Sequence, residues 1–144
     1  MKIRNLKITD YDKCYALWQT EHMGLNNVDD SRDGIEQYLR RNPNTCFAAE
    51  IDGEIVGVVL SGNDGRSGYL LHVCVLREHQ NKKIGTQLLE KVFEALKAEG
   101  ISEVTVPIYT DNKDGQRFYE RLGFVTRDFL MYKTKVLVER EWYD

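Results

Sequence analysis

The 144-residue chain has little of what several classes of protein require. It contains three cysteines and three histidines, and the cysteines lie far apart, without the short spacings that are typical of metal sites. No stretch approaches the ~20 consecutive apolar residues of a membrane span. The net charge of −3 gives no electrostatic case for nucleic-acid binding. We therefore expect no metal, no membrane and no nucleic acid as partners, and three reduced, buried thiols.

The N-terminus also lacks a targeting signal. Residues 1–7 alternate polar and apolar side chains, without the apolar core of a secretory signal peptide. The composition, 42% hydrophobic and 30% charged, is that of an ordinary globular protein. A chain of 144 residues suits one domain. The sequence therefore predicts a single cytoplasmic domain spanning residues 1–144.

Hydrophobic periodicity predicts a mixture of strands and helices. Asp52-Gly53 is typical of the turn of a β-hairpin, Thr9 and Asp12 resemble a capping box, and Gly100 suits a helix C-cap. The predicted helices cover residues 10–21, a short stretch around 35–39, 84–99 and 111–122. The predicted strands cover residues 3–8, 45–51, 54–60, a long segment ending near 76, 102–108, and an antiparallel pair at 124–126 and 129–138.

The most informative turn follows the central predicted strand. That strand ends in Val73-Cys74-Val75, and the turn reads Gln80-Asn81-Lys82-Lys83-Ile84-Gly85-Thr86 before an amphipathic helix. The first N–H groups of a helix have no intrahelical partner and lie at the positive end of its dipole, so they can hold a diphosphate. Gly85 lets the backbone approach a ligand closely. An ordinary strand–helix connection with solvated lysines is the alternative, and the nucleotide P-loop pattern is absent.

A second candidate segment lies in the last predicted helix. Asn112 stands where a helix N-cap is expected, and its amide could equally bind an amide-bearing ligand. Tyr119 follows two helical turns later, so both residues can lie along one face. A phenol beside a departing thiolate could donate a proton to it, whereas core packing is the alternative role for this tyrosine.

In order and spacing, these segments resemble the motifs of the GNAT N-acetyltransferase family. The resemblance covers about half of the chain, and its most specific part is the ending Tyr119-Glu120-Arg121-Leu122-Gly123-Phe124. It implies an α/β GNAT acyl-CoA N-acyltransferase fold, with a mixed, mostly antiparallel sheet whose central strands splay apart. Pro107 suits that splay because it has no N–H to donate to a regular ladder. Small stand-alone bacterial members, whose acceptors are mostly unassigned, are the most similar.

The resemblance also implies a cofactor site and an activity. Backbone groups of Val73-Cys74-Val75 would pair with the pantetheine arm of acetyl-CoA, and N–H groups from Gln80 to Thr86 would hold its pyrophosphate. Asn112 would touch the pantetheine, and Tyr119 would be the general acid for the CoA thiolate. The implied reaction is transfer of acetyl from acetyl-CoA to the primary amine of a small molecule or peptide, by direct attack and without a metal.

Two residues depart from the family pattern. The family's turn usually has glycine where this chain has Lys83, and the lysine N–H can still donate if its φ is negative. Members that acetylate the N-termini of ribosomal proteins have a glutamate five residues before the asparagine. The corresponding residue here is Pro107, which argues against that substrate.

The general base that takes the proton of the amine has several candidates. His72 lies on the central strand, and histidine is the residue type that most often serves as a general base, although a buried structural histidine is the alternative. Strand alternation predicts that Tyr69 faces the opposite side of the sheet. Glu21 and His22, at the end of the first predicted helix, are also candidates. Cys74 could carry a covalent acetyl group, but a buried, inert thiol is expected.

Two other functions are compatible with these motifs. The first is a non-catalytic regulatory module that binds acyl-CoA, and the second is a protein of this fold that acts only through its surface. An edge strand expected near the C-terminus would allow a homodimer.

Overall fold

A computed structural model describes residues 1–143. Their contacts divide the chain into two compact units, of which the first is Met1–Val106 with the residues from Arg140 onwards, and the second is Pro107–Glu139. Each unit is described by itself, and the expectation of one domain stays a prediction. No helix among residues 1–143 is long and apolar enough to cross a membrane.

The first unit contains seven strands: β1 (Lys2–Asn5), β2 (Leu25–Asn26), β3 (Phe47–Ile51), β4 (Glu54–Asn63), β5 (Gly68–Val75), β6 (Val104–Thr105) and β7 (Trp142–Tyr143). Five of them form a mixed sheet in the order β1-β3-β4-β5-β6, in which the ladders are antiparallel except that of β5 with β6. A small second sheet pairs β2 with β7. The helices are α1 (Tyr11–Thr20), α2 (Arg32–Arg41) and α3 (Ile84–Ala98).

Helices cover both faces of this sheet, because β4 and β5 are apolar on both sides. On one face, Leu88 and Leu96 of α3 pack closely against two glycines of the strands. A Cβ atom at Gly57 would lie 3.0 Å from Leu88, and one at Gly68 would lie 2.9 Å from Leu96. On the other face, α1 and α2 bury one apolar cluster against the strands. Its members include Leu6, Leu17, Trp18, Leu25, Ile35, Leu39, Ile55, Val58 and Leu60.

Local turn chemistry follows the sequence in most places. Asp52 and Gly53 have φ of 51° and 79°, as a tight hairpin turn requires, and Gly100 has φ of 82° at the end of α3. The predicted capping box of Thr9 and Asp12 is wrong. Instead, the Asp10 carboxylate accepts from the Lys7 N–H at 2.9 Å and from the Arg4 guanidinium at 2.8 and 2.9 Å. The Arg4 hydrogen bond also lowers the pKa of Asp10.

The second unit contains α4 (Lys113–Arg121). The antiparallel pair predicted at residues 124–126 and 129–138 is wrong, because none of these residues lies in a strand. Their alternating apolar pattern favoured strands, yet Phe129, Met131 and Leu137 are exposed, so no packing stabilises a ladder. The homodimer relied on an edge strand in this region and stays a prediction.

Candidate active site

One edge of β5 is open over most of its length. β4 pairs with β5 from Gly68 to Val75, whereas β6 pairs only with Gly68 and Tyr69. No other strand of residues 1–143 pairs with this second edge. The strand predicted at residues 102–108 is therefore limited to two residues, and the ladder ends before Pro107, which cannot donate. The backbone of Val73, Cys74 and Val75 thus lies on an edge to which an extended ligand can add.

The predicted turn leads directly from this edge into a helix N-terminus. A short 3₁₀ helix, Arg77–His79, follows β5, and α3 begins at Ile84. The Gln80 side chain donates to the Val75 carbonyl at 2.9 Å and so ties the turn to the strand end. No side chain among residues 1–143 caps the first turn of α3. Its first N–H groups, at Ile84, Gly85 and Thr86, therefore remain available for an anion.

The conformation of Lys83 does not meet the condition stated from its sequence. Its φ is +64° and its ψ is 18°, so the lysine adopts the left-handed conformation and not the negative φ under which its N–H was expected to donate. Asn81 is also left-handed, with φ of 65°. Because glycine populates this region at low cost, the turn retains the backbone shape that a glycine would give. The N–H groups of such a turn can form an anion-binding concavity.

The left-handed backbone of Lys83 should lower the stability of the protein, which a substitution by glycine can test. A non-glycine residue in the left-handed region costs about 1–2 kcal/mol, so we expect Lys83→Gly to raise the free energy of unfolding by about 0.5–1 kcal/mol after the greater chain entropy of glycine is subtracted. Lys82 has no positive φ and provides a matched control, since Lys82→Gly should destabilise. Urea denaturation measures the free energy of unfolding of both variants. A change of the same sign in the two would contradict backbone strain at Lys83.

A β-bulge in β5 sets the position of His72. Val58 pairs with Cys74 and Leu60 with Leu71, so the single residue Val59 lies opposite His72 and Val73. The bulged His72 has φ of 49°, a region in which histidine is enriched among non-glycine residues. Bulges interrupt strand alternation and re-aim side chains.

The bulge places the His72 side chain on the face covered by α1 and α2. Its ring lies 5.0 Å from the ring of Trp18 in α1, with a tilt of 49°. Tyr69 pairs with Gly62 of β4, where a Cβ would approach the Asn42 side chain at the end of α2 to 2.7 Å, so Tyr69 lies on the same face. The prediction that Tyr69 and His72 face opposite sides of the sheet is therefore wrong, since the alternation argument assumed an uninterrupted strand.

His72 binds a buried carboxylate that sequence analysis missed. Its Nε2 lies 2.6 Å from Oδ1 of Asp30, and the two side chains are 10% and 5% exposed. Asp30 precedes α2, and its other carboxylate oxygen accepts from the Asn26 N–H at 2.8 Å. In the sequence, Asp30 is one of three aspartates in the stretch 29–33, where acidic residues stabilise a helix N-terminus. No local signal pairs two residues that are 42 positions apart.

The other candidates for the general base differ in exposure. His22 is exposed and has φ of 55°, and Glu21 accepts from the Arg77 N–H at 3.3 Å. Cys74 is buried, as expected, and burial raises the pKa of its thiol to about 12. The thiolate that a covalent acetyl carrier needs is therefore disfavoured at neutral pH.

Metal-ligating groups are not clustered in the described chain. Among residues 1–143, no three His, Cys, Asp or Glu side chains are arranged to hold a metal ion.

In the second unit, Asn112 and Tyr119 belong to the same helix. The Asn112 side chain caps α4, because its Oδ1 accepts from the Gly115 N–H at 2.9 Å. Tyr119 is 8% exposed and packs edge-on against Phe118 and Phe124, at 5.1 and 5.3 Å between ring centroids. Burial raises its pKa to about 12. The phenol therefore keeps its proton at neutral pH and can act as a donor.

Comparisons with known proteins agree with this architecture. The chain is 28% identical over 143 residues to a Yersinia pestis protein named acetyltransferase, covering 99% of this chain and 100% of the relative. The structure of the PaiA N-acetyltransferase from Thermoplasma acidophilum in complex with coenzyme A has a TM-score of 0.76 at 21% identity, over 88% of this chain and 91% of the other. The aminoglycoside N-acetyltransferase AAC(6′)-Iy, in complex with CoA, has a TM-score of 0.74 at 19% identity, over 94% and 99%.

A family-level match decides the assignment. The profile of the family described as "Acetyltransferase (GNAT) family" matches residues 11–124, which is more than half of the chain. This match confirms the predicted fold class and the prediction of an acetyl-CoA-dependent N-acetyltransferase with acetyl-CoA as co-substrate. The open edge of β5 and the uncapped start of α3 fit the arm and the diphosphate of that molecule. The chain belongs to the acetyltransferase (GNAT) family.

Proposed function

We propose that this protein acetylates a primary amine on a small molecule or peptide by direct attack of the amine on acetyl-CoA. The observation that carries the proposal is the continuous path from the open edge of β5 to the uncapped N-terminus of α3. That path offers strand-type hydrogen bonds for pantetheine and N–H donors for a diphosphate. Its residues are Val73, Cys74, Val75, Gln80, Asn81, Lys82, Lys83, Ile84, Gly85 and Thr86.

Two side chains receive catalytic roles in this proposal. His72 acts as the general base that removes the amine proton while the N–C bond forms. Tyr119 acts as the general acid that protonates the sulfur while the C–S bond of the thioester breaks. Backbone N–H groups near Val75 stabilise the developing oxyanion, and Asn112 touches the pantetheine. These roles balance the reaction, because one proton leaves the amine and one reaches the thiolate.

The acceptor is a primary amine whose identity a screen can establish. The neighbour AAC(6′)-Iy is named for aminoglycosides, so an aminoglycoside belongs in the panel with polyamines, amino acids and lysine peptides. An N-terminal peptide of a ribosomal protein serves as the contrasting substrate. Pro107 replaces the glutamate of enzymes that use such peptides, so we expect this substrate to be inactive.

Calorimetric titration with acetyl-CoA tests the cofactor site first. We expect saturable binding by the parent protein, and much weaker binding of acetyl-pantetheine, which lacks the pyrophosphate held by residues 80–86. Acetyl transfer to a member of the amine panel then establishes the activity. Binding without transfer to any amine would favour the regulatory acyl-CoA module, and no binding would overturn the proposal.

A further inference from the structure

The buried contact between His72 and Asp30 joins two parts of the first unit that sequence analysis treated separately. We propose that Asp30 is the positioning residue that fixes the tautomer and orientation of His72, so that His72 Nδ1 is the nitrogen that accepts the amine proton. This inference rests on the proposed role of His72 as the general base. It assigns a function to a carboxylate that would otherwise belong only to a helix start.

Asp30 is held more firmly than an ordinary loop residue. Its backbone carbonyl accepts from the Tyr11 hydroxyl at 2.7 Å, and its own N–H donates to the Asn26 carbonyl at 3.3 Å. Its Oδ2 accepts from the Asn26 N–H at 2.8 Å, while Oδ1 faces His72. Each of these contacts fixes a different atom, so the carboxylate presents Oδ1 in one direction.

The hydrogen-bond chemistry of this pair selects one histidine tautomer. An ionised carboxylate can only accept hydrogen bonds. The 2.6 Å contact with Asp30 therefore requires a proton on His72 Nε2. In the neutral ring, Nδ1 is then the acceptor. Because the tautomer and the orientation are fixed, the ring needs neither to rotate nor to move its proton before Nδ1 accepts the amine proton.

The surroundings also favour the charge that appears during the reaction. When His72 accepts a proton, the imidazolium is hydrogen-bonded to the Asp30 carboxylate and lies within 5.0 Å of the Trp18 ring. Both a nearby carboxylate and an aromatic ring attract a cation.

Asp30→Asn reverses this arrangement with almost no change of shape. The carboxylate accepts from two donors, whereas an amide has one oxygen and one NH₂ group. If the amide oxygen still accepts the hydrogen bond from the buried Asn26 N–H, the NH₂ group faces His72 Nε2. That nitrogen must then accept, and the ring proton moves to Nδ1. The variant therefore removes the lone pair that the base needs.

Asp29→Asn is a matched control in the same loop. The Asp29 carboxylate binds the Arg140 guanidinium at 2.9 Å and the Asn26 side-chain amide at 3.1 Å, and its side chain is 61% exposed. The chemical change is the same, one residue earlier, but it leaves the contact of His72 intact. We expect this control to keep the parent tautomer and the parent turnover.

Nitrogen NMR of protein labelled on the histidine rings measures the tautomer directly. The chain has three histidines, and His72→Gln identifies the signals of His72. At alkaline pH we expect the Nε2–H form in the parent and in Asp29→Asn, and the Nδ1–H form in Asp30→Asn. The Nδ1–H form in the parent would overturn the inference whether or not Asp30→Asn folds.

Turnover with an amine found in the screen completes the test. We expect Asp30→Asn to lower kcat by about 10²-fold without changing the affinity for acetyl-CoA. Combining Asp30→Asn with His72→Gln should lower kcat no further than His72→Gln alone. If Asp30→Asn has the parent turnover while His72→Gln is impaired, the positioning role of Asp30 is overturned, and His72 remains the general base. Parent turnover in His72→Gln would overturn the base itself and the positioning role that rests on it.

Discussion

Tyr119→Phe is expected to lower kcat by about 10²- to 10⁴-fold, with little change in the affinity for acetyl-CoA. Phenylalanine keeps the ring that packs edge-on against Phe118 and Phe124, so the substitution removes only the hydroxyl. Burial raises the pKa of Tyr119 to about 12, which keeps the phenol protonated at neutral pH. A lost proton donor affects the departing thiolate and not ground-state binding, so the loss should appear in kcat.

Stopped assays of acetyl transfer and calorimetric titration with acetyl-CoA measure the two quantities separately. Tyr109→Phe is the control, because it deletes the same hydroxyl from a tyrosine of the second unit that is 78% exposed. We expect this control to match the parent. Parent turnover in Tyr119→Phe, or an equal loss in Tyr109→Phe, would contradict the general-acid role.

His72→Gln is expected to lower kcat by a comparable factor of about 10²- to 10⁴-fold. The glutamine amide can still donate to Asp30 from a position close to that of the imidazole Nε2. The substitution therefore preserves the buried contact and removes the basic nitrogen. The amine must then lose its proton to water, so the deficit should shrink as the pH rises toward the pKa of the amine.

His22→Gln is the matched control for this substitution. His22 is exposed, and its φ of 55° is close to the 49° of His72, so both variants place glutamine in a left-handed backbone. Thermal unfolding checks that the two variants are comparably folded. A large loss of kcat in His22→Gln, with parent turnover in His72→Gln, would reverse the assignment of the base.

Features set by neighbouring residues were predictable from the sequence. The Asp52-Gly53 turn, the Asn112 cap and the turn before α3 each depend on contacts within a few residues, and the structure contains all three. Whether residues 124–126 and 129–138 form strands could not be decided in this way, and the prediction that they do was wrong. A strand needs a partner, and the alternating pattern of these residues describes a preference without showing whether any partner is present.

Lys83 shows how a sequence can locate a turn without fixing the backbone of every residue in it. The sequence located the turn from Gln80 to Thr86 but left the sign of φ open for the lysine that replaces glycine. The observed φ of +64° follows from the geometry that joins β5 to α3. Packing of the flanking elements imposes this geometry at a cost of about 1–2 kcal/mol, and local preference does not decide the outcome.

The amino-acid sequence by itself determined the family, the turn before α3 and the helix that bears Asn112 and Tyr119, because their motifs are contiguous and their chemistry is local. Tertiary structure alone decided the surroundings of His72. The bulge opposite Val59 changed the direction of its side chain, and the fold brought Asp30 to within 2.6 Å across 42 residues. Strand register and long-range packing fix such a pair, and neither is encoded in the residues next to it.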